Sequence, residues 1–147
     1  MQKYDKYVFS TKDTIHYRFP SHVNDLVMDR SEAETTEIFM VVLEKGEAPE
    51  IHVHDDAEQI FYMIQGKGTL RIGENCEETF PVKPGDAVRI PPHTFHSILN
   101  DGEEQVVYLS VDCFLGGRPK DEPTWDSHVL WECKEYGWDF DKVRGLK

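Results

Sequence analysis

Short segments rich in β-branched and aromatic residues alternate along the chain with clusters of glycine, proline and asparagine. Segments of this length and composition predict strands, and strands at such regular spacing predict an all-β sandwich or barrel. We expect tight hairpin connections at 65–68 and 100–102, where Gly-rich turn residues separate two strands. We predict no long amphipathic helix. The predicted strands span 25–30, 37–44, 59–65, 68–72, 87–90, 94–99 and 105–111.

The length of 147 residues indicates one domain over 1–147. We expect a barrel core at about 37–112, preceded by a polar N-terminal arm over 1–36. The C-terminal tail, 113–147, carries all three tryptophans. Since tryptophan is most often a packing residue, we expect the tail to fold back onto the barrel or a partner subunit. The alternative is a tail aromatic that closes a ligand pocket.

The net charge of −12, from 28 acidic and 16 basic residues, argues against nucleic acid and anionic membranes as partners. The longest apolar run, 38–43, is far too short to cross a bilayer. The first residues show no apolar segment typical of a signal peptide. The three cysteines are widely spaced and suggest no disulfide framework. We therefore expect a cytoplasmic protein.

His52 and His54 are separated by one residue. In a strand, residues two apart face the same side, so the two imidazoles would point together. Imidazole pairs of this kind suit Zn, Cu, Fe and Ni. Taken alone, the pair could equally be a solvent-exposed one.

The spacing around these histidines resembles the two motifs of the cupin superfamily. In the first, Gly46, His52, His54, Gln59 and Gly66 are separated by five, one, four and six residues. In the second, Gly85, Pro91, His93, His96 and Asn100 are separated by five, one, two and three residues. The resemblance implies a double-stranded β-helix, a jelly-roll-like antiparallel barrel. It also implies one divalent metal held by His52, His54, His96 and a further ligand.

The further ligand is a glutamate in the family, and here Glu58 and Gln59 both compete for its place. Gln59 keeps the six-residue gap to Gly66 and would face inward together with Phe61 and Met63. We therefore predict Gln59 as the ligand and keep Glu58 as the alternative. A set of three histidines and a glutamine is neutral, so the ion's charge would favour an anionic or enolate-type ligand.

His93 stands where the family usually has glycine, so either the turn is relaxed or His93 adopts a left-handed conformation. It is a surface residue or a polar group near the pocket mouth. Catalytic candidates by strand position are Tyr62, His93 and Tyr108. Substrate-binding candidates are Phe61 and Met63, which would line the pocket, and Arg71 and Arg89. Arginine can hold a carboxylate through two hydrogen bonds. Alternatively, these polar residues lie on a solvated barrel exterior.

The resemblance leaves three functions open. The first is a metal enzyme using Lewis-acid chemistry, of isomerase, tautomerase or lyase type, on a small sugar acid or keto acid. The second is a non-haem Fe(II) dioxygenase, and the third is a non-catalytic barrel that binds a small molecule or carbohydrate. The metal could be Mn, Fe, Co, Ni or Zn. The resemblance also implies a homodimer.

Overall fold

The computed structural model of the chain describes residues 6–146. This range contains nine strands, followed by two C-terminal helices, α1 (Trp125–Tyr136) and α2 (Phe140–Arg144). A single 3₁₀ turn, Arg30–Glu32, separates β2 from β3. The strands are β1 (Ile15–Arg18), β2 (Val23–Met28), β3 (Thr36–Leu43), β4 (Ala57–Gln65), β5 (Gly68–Ile72), β6 (Glu78–Val82), β7 (Ala87–Ile90), β8 (His96–Leu99) and β9 (Val106–Phe114).

The strands form two antiparallel sheets. The larger has the order β1-β2-β3-β9-β4-β7 and the smaller β6-β5-β8. One core contains side chains of both sheets, such as Phe61 and Val88 from the larger and Leu70 and Ile98 from the smaller. The two sheets therefore enclose a common interior, and the predicted all-β antiparallel barrel is confirmed.

Alternating burial explains how the register of the long strands is fixed. Along β4 and β9, buried residues alternate with more exposed ones over most of the length. A shift of one residue would turn every buried side chain to the outside, so this pattern fixes the register. The interior positions of β4 include Gln59, Phe61 and Met63.

Two parts of the β-pattern differ from the prediction. The segments 65–68 and 100–102 are not hairpins, because each carries the chain from one sheet to the other. Strands β1 and β6 were missed. Four of the five residues of β6 are exposed, and it contains Pro81, so it lacks the apolar alternation that marks a half-buried strand.

The expectation was of no long amphipathic helix, and the tail forms two short helices that the sequence pattern did not indicate. Helix α1 starts at a capping box formed by Thr124 and Ser127 and ends at Gly137 in the left-handed conformation. Its buried residues are only Trp125, Val129 and Cys133, one per turn. So narrow a stripe gives little helical periodicity in the sequence.

We expect Gly66→Ala to destabilise the fold more than Gly46→Ala. Both glycines have a φ near +80°, so alanine costs about 1–2 kcal/mol in backbone strain at either site. At Gly66, a Cβ would also overlap the backbone carbonyl oxygen of Gln105, whereas at Gly46 it meets open space. Urea unfolding should show a difference of at least about 1 kcal/mol between the two variants. Equal losses would contradict this account of the turn between the sheets.

Candidate metal centre

Three histidine side chains converge inside the barrel. One ring nitrogen each of His52, His54 and His96 lies within 4.8 Å of the others. His52 and His96 are neighbours because their backbones pair across an isolated antiparallel bridge, with N to O distances of 3.3 and 3.0 Å. His54 follows two residues after His52 and presents its ring beside the same pair, 5.0 and 5.7 Å away between ring centroids. The predicted trio therefore forms one cluster.

Two of the three rings, those of His52 and His96, are held in the form that a metal requires. Nδ1 of His52 lies 2.6 Å from the Glu50 carbonyl oxygen, and Nδ1 of His96 lies 2.8 Å from that of Thr94. A carbonyl oxygen only accepts, so each Nδ1 carries the proton and each Nε2 keeps a free lone pair. Burial lowers the pKa of His52, that of His54 further, and that of His96 to about 3. All three rings are therefore neutral at neutral pH, as metal binding requires.

Gln59 lies in the same cavity as the histidines and is 3% exposed. Its Nε2 donates to Asp112 Oδ1 at 2.7 Å, while its Oε1 has no hydrogen-bond partner within 6–146. The Nε2 atoms of His54 and His96 are also buried and unpartnered. Three unpartnered atoms in one buried site, each able to offer a lone pair, fit a cation. The donor set is chemically suited to a divalent transition metal.

Glu58 faces the opposite side of β4, where it forms an ion pair with Arg89 at 3.1 Å. The alternation along the strand thus separates the two candidates for the fourth ligand. Gln59 as the ligand stays a prediction, and this geometry supports it over Glu58.

A buried charged network lies behind Gln59. Asp112 accepts from Gln59 and lies opposite Glu37 on the neighbouring strand β3. Arg30 holds both Glu37 carboxyl oxygens, at 2.7 and 3.0 Å. Burial and the neighbouring Asp112 carboxyl group raise the pKa of Glu37 well above its usual range, and burial raises the pKa of Asp112 as well. Gln59 is therefore oriented by a carboxylate that is itself fixed from behind.

The histidine cluster forms part of the wall of a cavity of about 710 Å³. The barrel interior contributes Phe61 and Tyr108, and burial raises the pKa of Tyr108. Helix α1 supplies much of the rest of the wall, with Trp125, His128, Trp131, Glu132 and Tyr136. Trp125 is also a core residue at 2% exposure. The tail thus packs on the barrel, as predicted, and also walls the pocket, which was the alternative interpretation.

His128 is the functional candidate that the sequence did not reveal, because it belongs to an unpredicted helix. Its Nδ1 lies 2.7 Å from Glu122 Oε1 and its Nε2 lies 3.2 Å from Glu132 Oε1. Burial lowers the pKa of His128, but the carboxylates of Glu132 and Glu122 outweigh it and raise the pKa. Once the helix is known, the four-residue spacing of His128 and Glu132 places them on one face.

Three predicted site residues lie outside the cavity. Tyr62 is on the outer face of β4 and is 51% exposed, because it alternates with the inward Phe61. Arg89 is exposed and pairs with Glu58. His93 has a φ of 63°, so it takes the left-handed conformation, and its exposed ring lies 2.9 Å from Asp55. None of the three lines the cavity.

Two further substrate-binding candidates also lie apart from the cavity wall. Met63 is fully buried in the core, and Arg71 donates to Ser97 Oγ at 3.1 Å. Neither belongs to the lining residues. Of the predicted substrate-binding and catalytic residues, the cavity contains Phe61 and Tyr108.

The histidine cluster coincides with a match between residues 39–112 and the family model described as Cupin domain. The chain belongs to the cupin family. Among solved structures, KdgF from Halomonas sp. superposes with a TM-score of 0.64 at 20% identity, covering 79% of this chain and 97% of that one. A candidate sugar phosphate isomerase of Acidithiobacillus ferrooxidans has a TM-score of 0.55 at 30% identity, covering 70% and 69%.

Among curated proteins, this cupin is 34% identical over 62 residues to a glucose-6-phosphate isomerase of Thermococcus onnurineus (strain NA1). The match covers 41% of this chain and 33% of the relative. The chain therefore spans about a third of the length of that relative. In the described range 6–146, none of the helices has the length and apolar character needed to cross a membrane.

We expect Gln59→Ala to reduce metal affinity at least tenfold, since it removes the unpartnered amide oxygen beside the histidines. Glu58→Gln should bind metal as the wild type does, because Glu58 faces Arg89 on the outside. Titration of chelator-treated protein with Zn²⁺, Mn²⁺ and Fe²⁺ measures the metal affinity of both variants. Loss of metal in Glu58→Gln with retention in Gln59→Ala would reverse the ligand assignment.

His22 should make the metal-free fold less stable in acid. Burial lowers its pKa to about 3. Unfolded histidine titrates near 6.5, so between about pH 6.5 and 3 the unfolded state binds a proton that the folded state does not. Stability therefore falls as the pH falls through this window, by up to about 1.4 kcal/mol per pH unit for one proton.

Denaturation of chelator-treated His22→Gln at several pH values should show a shallower slope in this window. His16→Gln is the matched control, because the His16 side chain is 63% exposed and pairs with Asp25 at the surface. If both variants keep the wild-type slope, burial of His22 is not its source.

Proposed function

We propose that this cupin is a metal-dependent enzyme of isomerase, tautomerase or lyase type that acts on a small hydroxylated carbonyl compound such as a sugar acid or keto acid. The observation that supports this most is the presence of neutral histidines and an acid–base group in one cavity. His52, His54, His96 and Gln59 would hold the ion, and His128 lies in the wall of the same cavity.

His52, His54, His96 and Gln59 would hold the ion, and its chemistry there would be that of a Lewis acid toward a carbonyl oxygen. The chain's own residues complete the reaction. His128 exchanges a proton at its ring, and the carboxylates of Glu122 and Glu132 stabilise the protonated ring. Tyr108 stays protonated because burial raises its pKa, so its hydroxyl can donate a hydrogen bond to the substrate.

Helix α1 also limits water around the reacting groups. Trp125 is buried against Phe39, with ring centroids 4.6 Å apart, and both residues line the cavity. Apolar rings in this part of the wall lower the local dielectric and would strengthen the electrostatic interactions of an ion held by the neutral ligand set. The three exposed candidates, Tyr62, Arg89 and His93, have no part in this proposal.

The first experiment combines metal analysis with proton exchange. Untagged protein, purified without chelator, is analysed by elemental mass spectrometry beside His96→Ala, which should lose the metal. The loaded protein is then incubated in D₂O with a panel of aldoses, ketoses, sugar acids and keto acids. NMR reports deuterium incorporation next to the carbonyl, isomerisation or elimination. No metal in the wild type, and none taken up on addition, would overturn the proposal.

We expect His128→Gln to keep its metal and lower the exchange rate by about 10²–10⁴-fold, the usual contribution of a general acid or base. His16→Gln, an exposed histidine, is the control and should react as the wild type does. An unchanged rate in His128→Gln would remove this residue from the mechanism. Stoichiometric iron with oxygen uptake and no proton exchange would instead favour the dioxygenase.

A further inference from the structure

Besides the three atoms at the metal site, three further buried polar atoms on residues of the cavity wall have no hydrogen-bond partner among the described residues. They are Asn24 Oδ1 on β2, Ser110 Oγ on β9 and Trp125 Nε1 on α1. The residues are 5%, 0% and 2% exposed and all line the cavity. A buried polar group without a partner lowers the stability of the fold, because its lost hydration is not replaced. Three such groups around one cavity therefore indicate a bound molecule that supplies the missing partners.

The chemistry of the three atoms specifies what that molecule offers. An amide oxygen accepts, an indole N–H donates and a serine hydroxyl does both. None of the three carries a charge. An alcohol hydroxyl both donates and accepts, so it can satisfy each of them. A phosphate dianion or a carboxylate only accepts and leaves the Asn24 oxygen unsatisfied.

The charge of the wall also disfavours an anion away from the metal. Seven of the lining residues are Asp or Glu, and Arg30 is the one lysine or arginine among them. Arg30 is already engaged, by both oxygens of Glu37 and by the Glu122 carbonyl oxygen at 2.9 Å. The cation that His128 can form is held between two carboxylates. A phosphate in the part of the cavity away from the metal would therefore meet repulsion and no available counter-charge.

We infer that the cavity beyond the histidines binds the uncharged, hydroxyl-bearing part of the substrate, as in a neutral sugar or polyol-derived carbonyl compound. Phosphorylated sugars are excluded. The inference rests on the proposed function only in taking the histidine cluster as the reacting end. It separates this chain from the relative named glucose-6-phosphate isomerase, whose name specifies a phosphorylated sugar.

Matched pairs of ligands test the inference directly. Isothermal titration calorimetry compares glucose with glucose 6-phosphate, fructose with fructose 6-phosphate, and mannose with mannose 6-phosphate on the metal-loaded protein. We expect the neutral member of at least one pair to bind at least tenfold more tightly than its phosphate. Equal or tighter binding of the phosphorylated members overturns the inference. So does the absence of binding by every neutral member up to its solubility limit.

Two conservative variants locate the binding. Ser110→Ala removes one hydroxyl, and Trp125→Phe removes the indole N–H while keeping an aromatic ring. Each should weaken neutral-sugar binding about fivefold, the equivalent of one hydrogen bond of about 1 kcal/mol. Ser31→Ala, in the 3₁₀ turn outside the cavity lining, is the control and should bind as the wild type does. Unchanged affinity in both cavity variants, with wild-type circular dichroism, overturns the assignment of these atoms.

Chelator-treated protein distinguishes this inference from the proposed function. Neutral-sugar binding that persists without metal and weakens in Ser110→Ala supports the subsite even if no turnover is found. Turnover of a phosphorylated sugar by the loaded protein, with no neutral substrate, supports the enzyme and overturns the inference. Failure of the inference and failure of the proposed function therefore give different experimental results.

Discussion

The candidate metal site depends on one row of hydrogen-bonded side chains across three strands. Asp112 on β9 lies opposite Glu37 on β3 and opposite Gln59 on β4. The antiparallel register places these three polar residues side by side on the inner face of the sheet. All three are buried, so each needs the others as partners. A slip of one residue would leave them unpaired, and the fold and the site are therefore held by the same register.

The interior combines two electrostatic environments that serve different purposes. Around His54 and His96, burial keeps the imidazoles neutral and leaves lone pairs free. Around His128, two carboxylates favour the protonated ring instead. Histidines with opposite tendencies in one cavity can divide the work of binding an ion and moving a proton. The acidic side chains of the wall then set the electrostatic potential that any bound molecule meets.

Much of the barrel and of the histidine cluster could be predicted from the sequence, because both depend on local patterns. Alternation in β4 was sufficient to place Gln59 and Phe61 inside and Glu58 outside. Strand position did not identify site residues correctly for Tyr62 and Arg89, since a polar residue in a strand can face the interior or the solvent. His128 could not be found, because helix α1 buries only one residue per turn and shows little periodicity. The packing of this helix against the barrel is a long-range contact that no local sequence pattern encodes.

The contacts of Arg30 affect how the protein unfolds. Its guanidinium joins Glu37 in the sheet to the Glu122 carbonyl just before α1, and it is 3% exposed. If the tail detached, Arg30 would lose this acceptor while Phe39 lost the indole packed against it. Opening the tail therefore carries the cost of an incompletely paired buried charge and a gap in the core. Barrel and tail should unfold together in one cooperative transition, with no populated state in which the barrel stands alone.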